Sequence, residues 1–251
     1  MAKDFIIEQL KKEFKDRDTF SREELYKFYS KFNPNLKETT FRWRVWDLKM
    51  NWIITPISKD LFSFIYKPIY IPEIGNNEIR TYEKIHKQFP TLKHCIWSTK
   101  IISEFMLHQP WRHVTILEVE NDALEPVFHY LKDINIRNVF FQPNEKEIDR
   151  YVFEVESAII LRTLISKAPI QRVNKFYTIT IEKMIVDIFC DKILFNAYQG
   201  SELSTIINNV YHRYAINFTK LFSYANRRRK EDELMEYLSL QTEIPQNIFN
   251  D

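Results

Sequence analysis

Apolar residues recur along this chain first with a helical period and then with a period of two. Phe5, Ile6, Leu10 and Phe14 form a helical stripe. Leu25, Phe28 and Tyr29 form a second, and Ser21 three residues before Glu24 predicts a capping box at its start. Asn33-Pro34-Asn35 forces a turn. A third helix is predicted from Lys37 or Glu38 to Asn51. In it Phe41, Val45 and Leu48 make one apolar face, while Thr39, Arg42, Trp43 and Asp47 fall on the other sides. After Trp52 the period becomes two, and 53–58 and 61–65 read as short strands around the turn residues Ser58, Lys59 and Asp60. Helix, helix, turn, helix, hairpin is the order of a winged helix-turn-helix, expected over residues 1–66.

Pro68, Pro72 and Gly75 then interrupt all periodicity, so 67–78 is expected to be a connector and 79–251 a second domain. Short apolar runs at 94–97, 114–119, 138–141 and 158–161 have strand character, and helical patterns at 98–107 and 122–133 separate the first three. Such alternation predicts a sheet covered by helices. Thr180 is an N-cap residue type, and Ile181, Met184, Ile185, Ile188 and Phe189 follow it as a wide apolar stripe. Further helices are expected near 201–213, 217–227 and 230–239. The predicted fold class is α+β: an N-terminal winged helix-turn-helix followed by a larger mixed α/β domain ending in a helical segment.

Composition adds limits. The chain has 251 residues, 45 % of them hydrophobic and 15 % aromatic, which is far from the composition of a disordered chain. The net charge of +2 matters only through its division: residues 1–66 hold 13 Lys+Arg against 10 Asp+Glu, so the basic excess lies in the first module. Charges every few residues near the N-terminus exclude the apolar core of a signal peptide, and no run approaches the roughly 18 apolar residues of a membrane span. Cys95 and Cys190 form no CxxC pair, which fits a reducing cytosol. A soluble cytoplasmic protein without membrane contact is expected. Gly75 and Gly200 are the only glycines, so neither GxGxxG nor a P-loop can be written.

Candidate chemistry concentrates in the third helix. Lys37, Thr39, Thr40, Arg42, Trp43 and Arg44 are placed against DNA, because residues at the start of a recognition helix reach base edges and hydroxyls fix phosphates. Lys59 at the wing tip would touch an adjacent phosphate. The alternative is a protein-docking or dimerisation module with these cations merely solvated. Arg227, Arg228, Arg229 and Lys230 are the densest basic run, expected to be a solvated helix junction neutralised by Glu231, Asp232 and Glu233, with a secondary nucleic-acid or partner contact as the other reading. Glu118 and Glu120 at the end of a predicted strand invite a metal-dependent nuclease, but no lysine follows them, and a structural role is preferred. The six histidines show no HxxxH or HExxH spacing, so no metal is expected. GxSxG is absent. Gly200-Ser201 is not followed by the paired aspartates of a nucleotidyltransferase. No catalytic residue and no cofactor are expected.

The chain resembles the AbiEi-type antitoxins of abortive-infection, type IV toxin–antitoxin systems. The resemblance rests on Lys37-Glu38-Thr39-Thr40-Phe41-Arg42-Trp43-Arg44 and, in the second domain, on Ile96-Trp97-Ser98-Thr99, 115–120, 164–169, 180–187, Gln199-Gly200-Ser201-Glu202-Leu203 and 217–229. It implies an N-terminal domain that binds promoter DNA and represses its own operon, with possible self-association there. It also implies a C-terminal domain that neutralises a neighbouring nucleotidyltransferase-like toxin, without a stable complex and without catalysis.

Overall fold

The three apolar stripes of the N-terminal region fold as helices in the computed structural model, which describes residues 3–249 apart from 16, 18, 52 and 66. α1 (Lys3–Glu13) is followed by the two-residue strand β1 (Phe20–Ser21), then α2 (Arg22–Phe32) and α3 (Glu38–Met50). The capping box is complete. Ser21 Oγ accepts from the Glu24 amide at 3.1 Å, and the Glu24 carboxylate accepts from the Ser21 amide at 2.8 Å. Together they satisfy donors that a helix start leaves without intrahelical partners. Ser21→Ala is expected to cost about 1 kcal/mol, seen as a lower urea midpoint at an unchanged slope.

Phe41, Val45 and Leu48 of α3 are buried together with Leu10, Phe14, Leu25 and Phe28, so all three helices close one core. β2 (Thr55–Pro56) and β3 (Leu61–Ser63) pair antiparallel, shorter than the runs expected at 53–58 and 61–65. β3 also pairs with β1, giving the order β1-β3-β2. Two residues are too few for a period to show, so β1 is invisible in the sequence. Trp52, where the helical period gives way, lies outside the described residues.

By its contacts the chain divides into two units: Met1–Ile69 with Tyr211–Thr219 and Ile244–Asp251, and Tyr70–Val210 with Lys220–Glu243. The break near residue 69 falls within the expected connector. Two short C-terminal segments join the first unit, and backbone bonds tie one of them in: Ala215 N–H donates to Pro68 at 3.0 Å, and Phe218 N–H donates to Ile57 in the hairpin loop at 3.1 Å. Such long-range pairing carries no periodic signal.

In the second unit α4 (Asn76–Gln88) starts inside the expected connector. The Glu78 carboxylate folds back on Gly75, and a Cβ there would require that side chain to shift. β4 (His94–Ser98), β5 (Thr115–Val119), β6 (Val139–Phe141) and β7 (Ile159–Thr163) form a sheet of order β4-β5-β7-β6. β4 is antiparallel to β5, while β5, β7 and β6 are parallel. α5 (Leu124–Asp133) lies between β5 and β6 in the chain. The short α6 (Glu145–Glu147) and a π-helical turn at Ile148–Val152 lead towards β7. The helical pattern at 98–107 is a 3₁₀ helix, Thr99–Phe105.

The hairpin of β8 (Ile170–Val173) and β9 (Phe176–Ile179) was not predicted, because Asn174 takes its left-handed turn position without the Asn-Gly pair that marks such turns. α7 (Ile181–Cys190), α8 (Ser201–Arg213), α9 (Phe218–Arg227) and α10 (Glu231–Gln241) follow. Thr180 caps α7 as expected, its hydroxyl accepting from the Lys183 amide at 3.3 Å. The chain is mixed α/β. Among the described residues no helix is long and apolar enough to cross a membrane.

Strand alternation gives the four-stranded sheet two unlike faces. Ile96, Leu117, Val119, Ile159 and Leu161 meet Tyr82 and Ile85 of α4 and Leu124, Val127 and Leu131 of α5 in an apolar core. On the opposite face the register sets Cys95, Glu118 and Arg162 side by side across three strands.

Candidate nucleic-acid interface

Because Phe41, Val45 and Leu48 turn inward, α3 and its start turn Lys37, Thr39, Thr40, Arg42 and Trp43 outward, and all five are exposed. Trp43 is 60 % exposed, Trp46 56 % and Met50 59 %, so the two tryptophans of this helix lie largely open to solvent. Arg42 Nε lies 3.2 Å from Glu38 Oε1, and Glu38 also pairs with Arg22. The Arg22 guanidinium, then Arg42, holds the Glu38 carboxyl below its usual range. These pairs are open to water and contribute little to stability.

Arg22, Glu38, Arg42, Trp46, Lys49 and Lys59 line one groove of about 480 Å³ beside α3. The fold therefore brings Arg42 and the loop residue Lys59 together. Arg44 goes elsewhere: its guanidinium stacks over the Tyr29 ring at 4.8 Å, and its Nη1 is buried without a hydrogen bond. It positions the helix from behind.

The basic run at 227–230 disperses. Arg227 and Arg229 are exposed, with Arg229 in the left-handed region at φ 56°. Lys230 pairs with Glu233 at 2.6 Å, in keeping with the expected neutralisation. Arg228 turns inward, its Nη1 3.0 Å from Asp187 Oδ1.

Asp187 is the centre of a buried cluster. Its Oδ1 also accepts from Tyr224 Oη at 2.8 Å, and its Oδ2 accepts from Lys183 Nζ at 2.5 Å and Arg162 Nη2 at 3.0 Å. Arg162 further binds Glu118 through Nε at 3.0 Å and Asp191 through Nη1 at 3.0 Å. Lys183 Nζ lies 2.7 Å from Glu118 Oε2. Glu118, Asp187 and Asp191 thus balance Arg162, Lys183 and Arg228. Burial works against the charged form of Asp187, but Lys183, Arg162 and Arg228 outweigh it and hold its pKa low. Burial likewise works against the Lys183 ammonium, and Asp187 and Glu118 more than compensate, so its pKa is raised.

Chemically this cluster is a closed charge lock. Glu118 is buried and committed to two cations, whereas Glu120 is exposed beyond the strand end, so the two acids sit in unlike surroundings. A metal at Glu118 would have to displace both Lys183 and Arg162. Among the described residues no three His, Cys, Asp or Glu side chains converge to hold a metal ion. Burial pushes the Cys95 thiol well above its usual value and the Cys190 thiol up to about 11, so neither is a ready nucleophile at neutral pH.

Sequence reading missed Arg162 and Lys183 as partners of Glu118, and Asp187 and Tyr224 as further members of the cluster. One signal was available: α7 is buried from Ile181 to Phe189, and Lys183 and Asp187 are an i, i+4 charge pair inside it.

Fold and sites together define a mixed α/β chain whose first unit combines three helices with a hairpin and whose second unit is a helix-covered sheet locked by buried charge. Residues 40–244 match the sequence model of DUF6577, a family of unknown function, and the chain belongs to that family. The match begins within α3 and so takes in the hairpin and all of the second unit. No curated protein matches the chain.

Proposed function

We propose that the N-terminal unit is a winged helix that binds double-stranded promoter DNA, with α3 in the major groove and the β2–β3 loop on the flanking backbone. The observation that carries this reading is the shared groove of Arg42 and Lys59, beside an exposed helix start bearing Lys37, Thr39 and Thr40. Arg42 and the two threonines supply donors for bases and phosphates, and Lys59 a phosphate contact. Arg44 supports the helix through Tyr29 and is not counted among the DNA contacts.

The resemblance to AbiEi-type antitoxins extends the proposal: the chain represses its own operon and neutralises a nucleotidyltransferase-like toxin encoded beside it. Its test is co-expression with the neighbouring gene. Restored growth supports the antitoxin reading; unrelieved toxicity removes it and leaves the DNA reading standing.

A gel shift with the chain's own upstream DNA tests the DNA reading. Wild type is expected to bind, and Arg42→Ala/Lys59→Ala to bind far more weakly, with the salt slope reduced by about 1 for each phosphate contact removed. Equal binding by both proteins, or none by wild type at low salt, overturns it. A docking reading is favoured by one observation, the exposed stripe of Trp43, Trp46 and Met50 on the same helix. Self-association insensitive to salt and abolished by Trp46→Ala would support it.

A further inference from the structure

The second unit carries a groove of about 540 Å³ that no part of the DNA reading uses. Its volume is that of a small-ligand site. Arg80 and Lys84, one turn apart on α4, and Arg137, just before β6, all line it. Among the described residues none of these three cations has an ion-pair partner. That sets them apart from Arg162, Lys183, Arg228 and Lys230, each of which faces a carboxylate.

The acid in the groove is engaged differently. Glu78 is buried, its Oε1 accepting from Thr115 Oγ1 at 2.7 Å and its other oxygen lying against Gly75. It does not neutralise the basic rim. Ile136 and Ile159 add an apolar wall, and Ser98 a hydroxyl. The rim is fixed in place: Asn138 Nδ2 donates to the Glu156 carbonyl at 2.8 Å, and the Ile159 amide donates to the Asn138 carbonyl at 2.9 Å.

Unpaired cations, the Ser98 hydroxyl and an apolar wall match the three parts of a nucleotide: phosphate, ribose and base. We propose that this groove binds a nucleoside phosphate, with the phosphate on Arg80, Lys84 and Arg137 and the sugar towards Ser98. The proposal stands independently of DNA binding, since every residue it uses lies in the second unit.

Calorimetric titration of the full chain at low salt with AMP, ADP, adenosine and inorganic phosphate tests it. AMP and ADP are expected to bind, and adenosine and phosphate about ten-fold or more weaker. Arg80→Ala/Lys84→Ala and Arg137→Ala are each expected to lower AMP affinity about ten-fold or more. These side chains are exposed, so unfolding midpoints should match wild type, and Arg42→Ala should leave nucleotide affinity unchanged. Adenosine binding as tightly as AMP, phosphate alone binding as tightly as AMP, no binding of either nucleotide, or folded variants that bind like wild type would each overturn the proposal.

Discussion

Asp187→Ala is expected to destabilise the second unit by about 3–5 kcal/mol, the cost of leaving buried charges without their partner. Asp187 accepts from Lys183, Arg162, Arg228 and Tyr224, so its removal strands cations that burial has taken out of water. Equilibrium urea unfolding measures this. The companion variant Lys183→Met/Asp187→Leu removes one charge of each sign, so that Arg162 keeps Glu118 and Asp191 while Arg228 loses its carboxylate. It is expected to lose less than Asp187→Ala alone; an additive loss would show that the two residues are not coupled.

Acid should weaken the same lock. The Asp187 pKa in the folded chain lies below its ordinary value of 3.8, so its contribution is complete above that value and is lost as pH falls through the folded one. Lys183 is shifted the other way, above 10.5, so its contribution is complete below that value and fails only in strong alkali. Between these limits the cluster's contribution should be flat with pH. Urea midpoints at successive pH values check this, and in Asp187→Ala the acid decline should be shallower.

The second large effect is expected at α3. Phe41 is fully buried, with the Tyr26 ring edge-on at 5.0 Å and the Arg22 guanidinium over its own ring at 4.9 Å. Phe41→Ala should cost about 3–5 kcal/mol, the transfer term plus the cavity left among Tyr26, Tyr29 and Leu25. Arg42→Ala, one residue later on the exposed face, should leave the unfolding midpoint nearly unchanged. Loss of binding with retained stability in Arg42→Ala, beside loss of both in Phe41→Ala, separates contact from scaffold. Equal destabilisation by the two would mean that the α3 faces are not divided as the structure has them.

Much of the N-terminal unit could be read along the chain because its instructions are local. Ser21 and Glu24 are three residues apart, Phe41, Val45 and Leu48 share a stripe, and Thr180 sits directly before its helix. α4 escaped notice because Pro68, Pro72 and Gly75 suggested a connector and its stripe is thin, with only Tyr82 and Ile85 as buried apolar residues. Arg44 illustrates the limit at the candidate interface. It lies between the exposed Trp43 and the buried Val45, and whether it faces out or covers Tyr29 depends on where α2 packs.

The sequence by itself determined the helices and hairpin around residues 3–65, the outward side of α3 apart from Arg44, and the strands of the four-stranded sheet, since each depends on periodicity or a cap spanning a few residues. Only the tertiary structure decided that Glu118 faces Arg162 and Lys183, that Arg228 leaves its basic run for Asp187, and that Arg80, Lys84 and Arg137 share a groove. The physical reason is range. Propensity and period act over one or two turns, whereas strand register and helix packing bring together charges dozens of residues apart, and burial then decides which of them must be paired.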